Sequence, residues 1–281
     1  MTPVVKTIAE VRAQTRAARQ RGDVIGLVPT MGALHQGHLS LMRAARADCG
    51  FVTISIFVNP TQFGPQEDFA AYPRDLERDV AAAAGVGVDL VFAPEVAEMY
   101  PDEPRTTVHV AGLTERLCGP HRPGHFDGVA TVVAKLFGIF QPDRAYFGEK
   151  DFQQLQVIRR LVADLNVPVE VIGCPTLREP DGLALSSRNR YLSPEERRAA
   201  PALYAALQAG AEAVRGGGTG RAAEAAVRVA LAAEPRFQLQ YVEALRPETL
   251  QPDDEPGPPL VIAAAAFLGT TRLIDNVVAS R

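Results

Sequence analysis

VIGLVPTMGALHQGHLSL, residues Val24 to Leu41, joins a short apolar run to a glycine-bearing loop and then to the start of an amphipathic helix. A strand that ends in such a loop and re-enters a helix aims unpaired backbone N–H groups at one point, an arrangement suited to phosphate. His35 and His38 stand beside that point. Spaced i, i+3 on a first helical turn they face one way, and imidazoles donate hydrogen bonds to phosphate oxygens whose charge changes during reaction. Glycine after a strand is common in α/β loops, and His-x-x-His also reads as half a metal site or a polar helix start. Strand, loop and pair together favour a phosphate site.

Outward from this stretch, apolar runs alternate with helical patterns. Thr7 and Glu10 have capping-box spacing for a helix running to about Gly22. Strands are predicted at Val24–Val28, Phe51–Val58, Val88–Phe92, Arg144–Phe147 and Val167–Ile172. Between them helices are predicted with Pro73 in a first turn and Gly85 at the end, over Gly128–Phe140, and from Asp151 to about Leu165. This alternation predicts a Rossmann-like, doubly wound parallel sheet with its ligands outside the C-terminal strand ends, so the loops after Val28, Val58 and Phe147 should converge. Beyond residue 176 the pattern changes. A helix start at Ser193, Pro194 and Glu196 leads into one alanine-rich helix, a GGGTG break and a second helix from Arg221. Strands at Phe237–Leu245, Leu260–Phe267 and Thr271–Val278 flank the Pro-rich QPDDEPGPP loop. We therefore expect two domains, 1–176 and a smaller α+β domain 177–281, packed directly with a cleft between them.

Composition narrows the function classes. The 281 residues are 47% hydrophobic and 22% charged, as in ordinary globular proteins. A net charge of −4 argues against a broad nucleic-acid surface, so any basic site is local. Cys49, Cys118 and Cys174 are odd in number and lack CxxC spacing, which fits a reducing compartment. With no apolar stretch of signal-peptide length and none near the roughly 20 residues that span a bilayer, a cytoplasmic protein without membrane partners is expected.

Three further clusters bear chemistry. In FVNPTQFG, Asn59 and Gln62 follow an apolar strand, and neutral amides there suit a small substrate with hydroxyl and carboxylate groups; Asn59-Pro60 is equally a turn initiator. In FGEKDFQQ, Lys150 stands beside a helix start, where ammonium and backbone dipole act on one anion, while Asp151 and Gln154 also have capping-box spacing. In DGLALSSRNRYL, two hydroxyls beside Arg188 form a candidate mobile phosphate clamp or a solvated loop. GPHRPGHFDG, with His121, Arg122 and His125, reads as a lid or an ordinary basic loop.

PTMGALHQGH, FVNPTQFG, YPR, RPGHFDGV, FGEKDFQQ and DGLALSSRNRYL, in this order, closely resemble the pantoate–beta-alanine ligases over Pro29 to Leu192. The His-x-x-His segment is similar to the HIGH element of nucleotidylyl transferases and class I aminoacyl-tRNA synthetases, and the SSR loop to their mobile phosphate loop. The resemblance implies ATP with Mg2+, the substrates pantoate and beta-alanine, a pantoyl adenylate intermediate, and a homodimer. It implies that Met31, Gly32, Ala33, Leu34, His35, Gln36, Gly37 and His38 line ATP, together with Gly148, Glu149, Lys150, Asp151, Leu177, Leu185, Ser186, Ser187 and Arg188. His38 matches the proton donor, with His35, Lys150 and Arg188 completing the catalytic set; Gln62 and Gln154 match the glutamines that hold pantoate. Asn59, Tyr72, Arg122 and His125 are expected on the substrate side, and the magnesium ligands stay open. Gln36 and Ala70 depart from the usual acidic and polar residues, Ala70 at a position outside the expected contacts.

The rival readings are an adenylating or nucleotidyl-transferring enzyme for a different substrate and a non-catalytic nucleotide sensor. Class I tRNA charging fits poorly, because the chain is short, acidic and lacks an evident anticodon-binding extension.

Overall fold

The computed structural model describes residues 2–65, 67, 69–102, 104–253, 255 and 259–280. The chain divides into two compact units, the first comprising Met1–Val110, Arg122–Glu149 and Val157–Pro175, the second Ala111–His121, Lys150–Gln156 and Thr176–Arg281.

The first unit is built on a six-stranded parallel sheet of β1 (Val4–Val5), β2 (Ile25–Thr30), β3 (Phe51–Ile56), β4 (Leu90–Phe92), β5 (Arg144–Gly148) and β6 (Glu170–Cys174) in the order β1-β4-β3-β2-β5-β6. The helices are α1 (Ile8–Gln20), α2 (Gln36–Asp48), α3 (Leu76–Ala84), the single turn α4 (Val96–Met99), α5 (His125–Phe140) and α6 (Phe152–Asp164), whose first residues belong to the second unit. The central strands read as continuous apolar runs because both faces are covered; Ile25, Leu27, Val28, Val52 and Ile54 have no exposed surface. The capping box at Thr7 and Glu10 forms as its spacing predicts. Strand order reverses where β2 lies between β3 and β5, so the crevice at the C-terminal ends of β2 and β5 is the switch point at which such sheets bind ligands.

The structure departs from the expected boundaries for identifiable reasons. Strand β6 begins after Val167, because Pro168 has no N–H for the ladder. Pro73 precedes α3 rather than entering its first turn, since Asp75 caps that helix by accepting the Arg78 N–H at 3.1 Å. Helix α5 starts at His125, three residues early, because Gly124 adopts φ +77° and turns the chain into it. The two-residue edge strand β1 is too short to show a period.

The second unit is an antiparallel sheet of β7 (Phe237–Leu245), β8 (Leu260–Leu268) and β9 (Thr271–Ala279), with α7 (Pro194–Ala199), α8 (Ala202–Arg215) and α9 (Gly220–Ala232). Pro201 divides what reads as one alanine-rich helix into α7 and α8. Leu203, Leu207, Val227 and Ile262 share one buried cluster with Ala264 and Ala266 of β8. Asp254, Pro256, Gly257 and Pro258 of the Pro-rich loop lie outside the described residues. Among the described residues no helix is long and apolar enough to cross a membrane.

Candidate active site

The loop after β2 carries the histidine pair. Gly32 (φ +85°) and Ala33 (φ +51°) turn it through the left-handed region, and His35 then takes extended backbone as the N-cap of α2 rather than a place in its first turn. His35 Nδ1 accepts the Gly37 N–H at 3.1 Å, and His38 Nδ1 accepts the His35 N–H at 3.3 Å. The ring centroids lie 4.1 Å apart with 35° between the planes. A neutral imidazole that accepts at Nδ1 carries its proton on Nε2, so both rings are set as Nε2–H donors.

The expected cradle of unpaired backbone N–H groups does not form in the stretch from Gly32 to His35. Gly32 N–H donates to Thr30 Oγ1 at 3.2 Å, and the Ala33 and Leu34 N–H groups donate to the two carboxylate oxygens of Asp79, each at 2.8 Å. These amides hold the loop in shape. What this loop offers an anion is the pair of imidazole N–H donors and the N-terminal dipole of α2.

The loops after β2 and β3 do converge. Gln62 Nε2 lies 3.1 Å from Met31 Sδ, and Gln62 Oε1 accepts from Asn59 Nδ2 at 3.1 Å. The polarity of these amides follows from their neighbours. Asn59 Oδ1 accepts from the Thr61 N–H (3.3 Å) and Tyr100 OH (2.9 Å), so Nδ2 is the donor to Gln62 and to the Gly128 carbonyl (3.1 Å). Gln62 thus turns its NH2 toward Met31 as a donor. Asn59, 1% exposed, serves both readings of its motif: it caps the short 3-10 turn Pro60–Gln62 and orients Gln62. Burial raises the Tyr100 hydroxyl above its ordinary pKa, against the hydrogen bond from Thr61, which keeps it protonated as a donor.

Arg122 and His125 join the same wall. Arg122 Nε and Nη2 each meet a Glu67 carboxylate oxygen at 2.6 Å, and Nη1 lies 2.9 Å from His125 Nε2. Since a guanidinium only donates, His125 accepts at Nε2 and donates from Nδ1 to the Gln62 carbonyl at 2.8 Å. Tyr72 is buried, edge-on to Phe63 with centroids 6.0 Å apart. Gly148 closes β5 and Glu149 opens the 3-10 turn Glu149–Asp151, which runs without a break into α6.

In the second unit, Lys150 Nζ lies 3.8 Å from Asp151, and its carbonyl accepts from Asn276 Nδ2 at 3.0 Å. Gln154 is half-buried on the first turn of α6. Its neighbour Gln153 binds the Cys118 N–H and the carbonyls of Leu113 and Arg116. Leu177 and Leu185 face each other through a 3.0 Å backbone bond, and Ser186 caps the turn Ser187–Tyr191 by accepting the Arg188 N–H at 3.3 Å. The Asn189 Oδ1 is buried with no hydrogen-bond partner. Asp79, Tyr100, Glu67 and Gln153 escaped the sequence reading; of these Asp79 left a signal, being i, i+4 from Asp75, a like-charge spacing that is unfavourable unless one carboxylate finds donors.

The model of the pantoate-beta-alanine ligase family matches residues 3–278. The chain belongs to this family. Its relatives include pantothenate synthetases of Moorella thermoacetica, 58% identical over 98% of both chains, and Acetivibrio thermocellus, 52% identical over the same share. A crystal structure of pantothenate synthetase from Thermus thermophilus is 53% identical, covers 99% of each chain and superposes with a TM-score of 0.92. The pantoate-beta-alanine ligase of Francisella tularensis, complexed with beta-gamma ATP and beta-alanine, is 34% identical with a TM-score of 0.82, covering 99% of this chain and 98% of that one. The ligase family thus extends over both units, including the C-terminal part in which the sequence motifs are sparse.

Proposed function

We infer that the protein condenses pantoate with beta-alanine at the expense of ATP, through a pantoyl adenylate. Membership of the ligase family over nearly the whole chain carries this reading, and the imidazole pair at the switch point supplies donors suited to it. In the first step a pantoate carboxylate oxygen attacks the α-phosphorus, the bond to the β-phosphate oxygen breaks, and pyrophosphate leaves. Two anions meet there, so cationic and N–H donors must gather where charge builds. We assign this role to the Nε2–H groups of His35 and His38 with Lys150 and Arg188, His38 acting as the hydrogen-bond donor to the phosphate oxygens where charge builds. In the second step the beta-alanine amine attacks the acyl carbon, the bond to the phosphate oxygen breaks, AMP leaves and the amine loses its proton. Orientation supplies most of this acceleration, on the order of 7–11 kcal/mol when the geometry is right.

Met31–His38, Gly148–Asp151, Leu177 and Leu185–Arg188 are proposed to line ATP. Gln62 and Gln154 are proposed to hold pantoate, the Gln62 NH2 meeting a pantoate oxygen, with Asn59, Tyr72, Arg122 and His125 behind the substrates. Among the described residues no cluster of three or more His, Cys, Asp or Glu side chains could hold a metal ion. Mg2+ is proposed to enter with the triphosphate oxygens as its ligands, and no step is routed through a protein-bound ion. A homodimer rests on the family resemblance, and a cytoplasmic setting fits three buried free thiols.

The deciding experiment is a coupled assay for AMP. Formation that requires ATP, pantoate and beta-alanine together is the expected result; pyrophosphate release only with nicotinate mononucleotide or phosphopantetheine would overturn the reading. His38→Ala should keep the fold while adenylate formation falls by more than about 100-fold, whereas near-normal turnover would favour the nucleotide sensor.

A further inference from the structure

Asp79 is a carboxylate that the mechanism does not use, held in a place where a carboxylate is costly. It lies on α3, 2% exposed, yet both of its oxygens are engaged: Oδ2 accepts the Ala33 N–H and Oδ1 the Leu34 N–H, each at 2.8 Å. These amides belong to the two residues before His35, the N-cap. Ala33 sits at φ +51°, a left-handed conformation that L-residues rarely adopt, so the surroundings must hold it there. Packing closes the same point, because a Cβ built on Gly32 would stand 2.9 Å from Asp79 Oδ2 and 3.1 Å from Ile56 Cγ2. Burial raises the Asp79 pKa while the Leu34 and Ala33 N–H bonds pull it down, as expected for a carboxylate retained for its two acceptors.

We propose that Asp79 is a positioning residue for adenylation: by clamping the peptides of Ala33 and Leu34 from α3, it sets where the Nε2–H donors of His35 and His38 stand. This rests on the ligase reading for its kinetic consequence, but the clamp itself is a property of the fold. A neutral amide cannot replace it. In Asp79→Asn one oxygen becomes an NH2 that faces a backbone N–H, so one of the two amides loses its acceptor.

Two measurements on the full chain test the clamp. In steady-state pyrophosphate release, Asp79→Asn should lower kcat by about 100-fold, the scale of a 1 Å misplacement, with KM for pantoate within about threefold of the parent. Imidazole 15N resonances supply a readout independent of activity. The His35 and His38 signals should move or broaden, while those of His109 and His121, which take no part in the clamp, stay in place. If Asp79→Asn fails to fold, Gly32→Ala, which pushes a methyl group against Asp79 Oδ2, should give the same resonance pattern. Unmoved His35 and His38 signals in a folded variant, or kcat within about threefold of the parent, would overturn the proposal. Absence of pantoate-dependent pyrophosphate release in the parent would instead defeat the ligase reading and leave the resonances to judge the clamp.

Discussion

At the scale of single residues the site depends on which way each polar group points, and that is set by neighbours distant in sequence. Gln62 is a donor toward Met31 because Asn59 Nδ2 occupies its oxygen, and Asn59 is fixed in turn by Tyr100 OH and the Thr61 N–H. Asn59→Asp removes the donor and places an acceptor against Gln62 Oε1. Gln62 should then rotate its amide and present oxygen to the substrate. KM for pantoate is expected to rise at least tenfold, about 1.4 kcal/mol for a lost hydrogen bond to a charged group, with KM for ATP within about twofold; initial-rate kinetics with each substrate varied separately check this. Gln62 and the two histidines were legible in the sequence because they follow apolar strands. Asp79 and Tyr100 were not, because a polar residue in a helix or loop reads as solvated until its burial is known.

At the scale of elements, close approach of backbones fixes the wall proposed to hold substrate. Helix α5 packs on the turn Pro60–Gln62 at Gly128, where a Cβ would lie 2.4 Å from the Thr61 carbonyl oxygen and 2.7 Å from the Gln62 nitrogen. Gly128→Ala must therefore push the turn away. The expected cost is about 1–3 kcal/mol, the usual range for overpacking, together with a higher pantoate KM, measured by thermal or denaturant unfolding and by kinetics. The local code predicted most elements but not all of their limits. Capping boxes at Thr7 and Ser193 act within four residues and could be read directly. The break at Pro201 and the early start of α5 at Gly124 depend on single residues whose effect competes with a strong helical pattern.

At the scale of the whole molecule, acid stability follows from how carboxylates are held. Burial alone would raise Glu67, but the hydrogen bonds and charge of Arg122 prevail and its pKa is lowered. A lowered carboxylate contributes stability above its unfolded pKa, about 4.3, and loses it as pH falls through the folded value. Asp79, whose pKa is raised, acts in the opposite sense. Melting temperature should therefore fall as the pH drops below about 4.3, and the fall should be shallower in Glu67→Gln; equal slopes for the two proteins would show that the Glu67–Arg122 pair contributes nothing.

The sequence by itself determined the alternation of strand and helix, the glycine-bearing turn after β2 and the chemistry-bearing residues of the ligase motifs, because periodicity, capping and turn formation act over a few residues. Only the tertiary structure decided the partners of those residues: that Asp79 takes the loop amides, that both imidazoles donate from Nε2, and that Gln62 faces Met31 with its NH2. Those choices depend on donors and acceptors separated by many residues in the chain, and they become fixed only when burial removes the water that would otherwise satisfy each group.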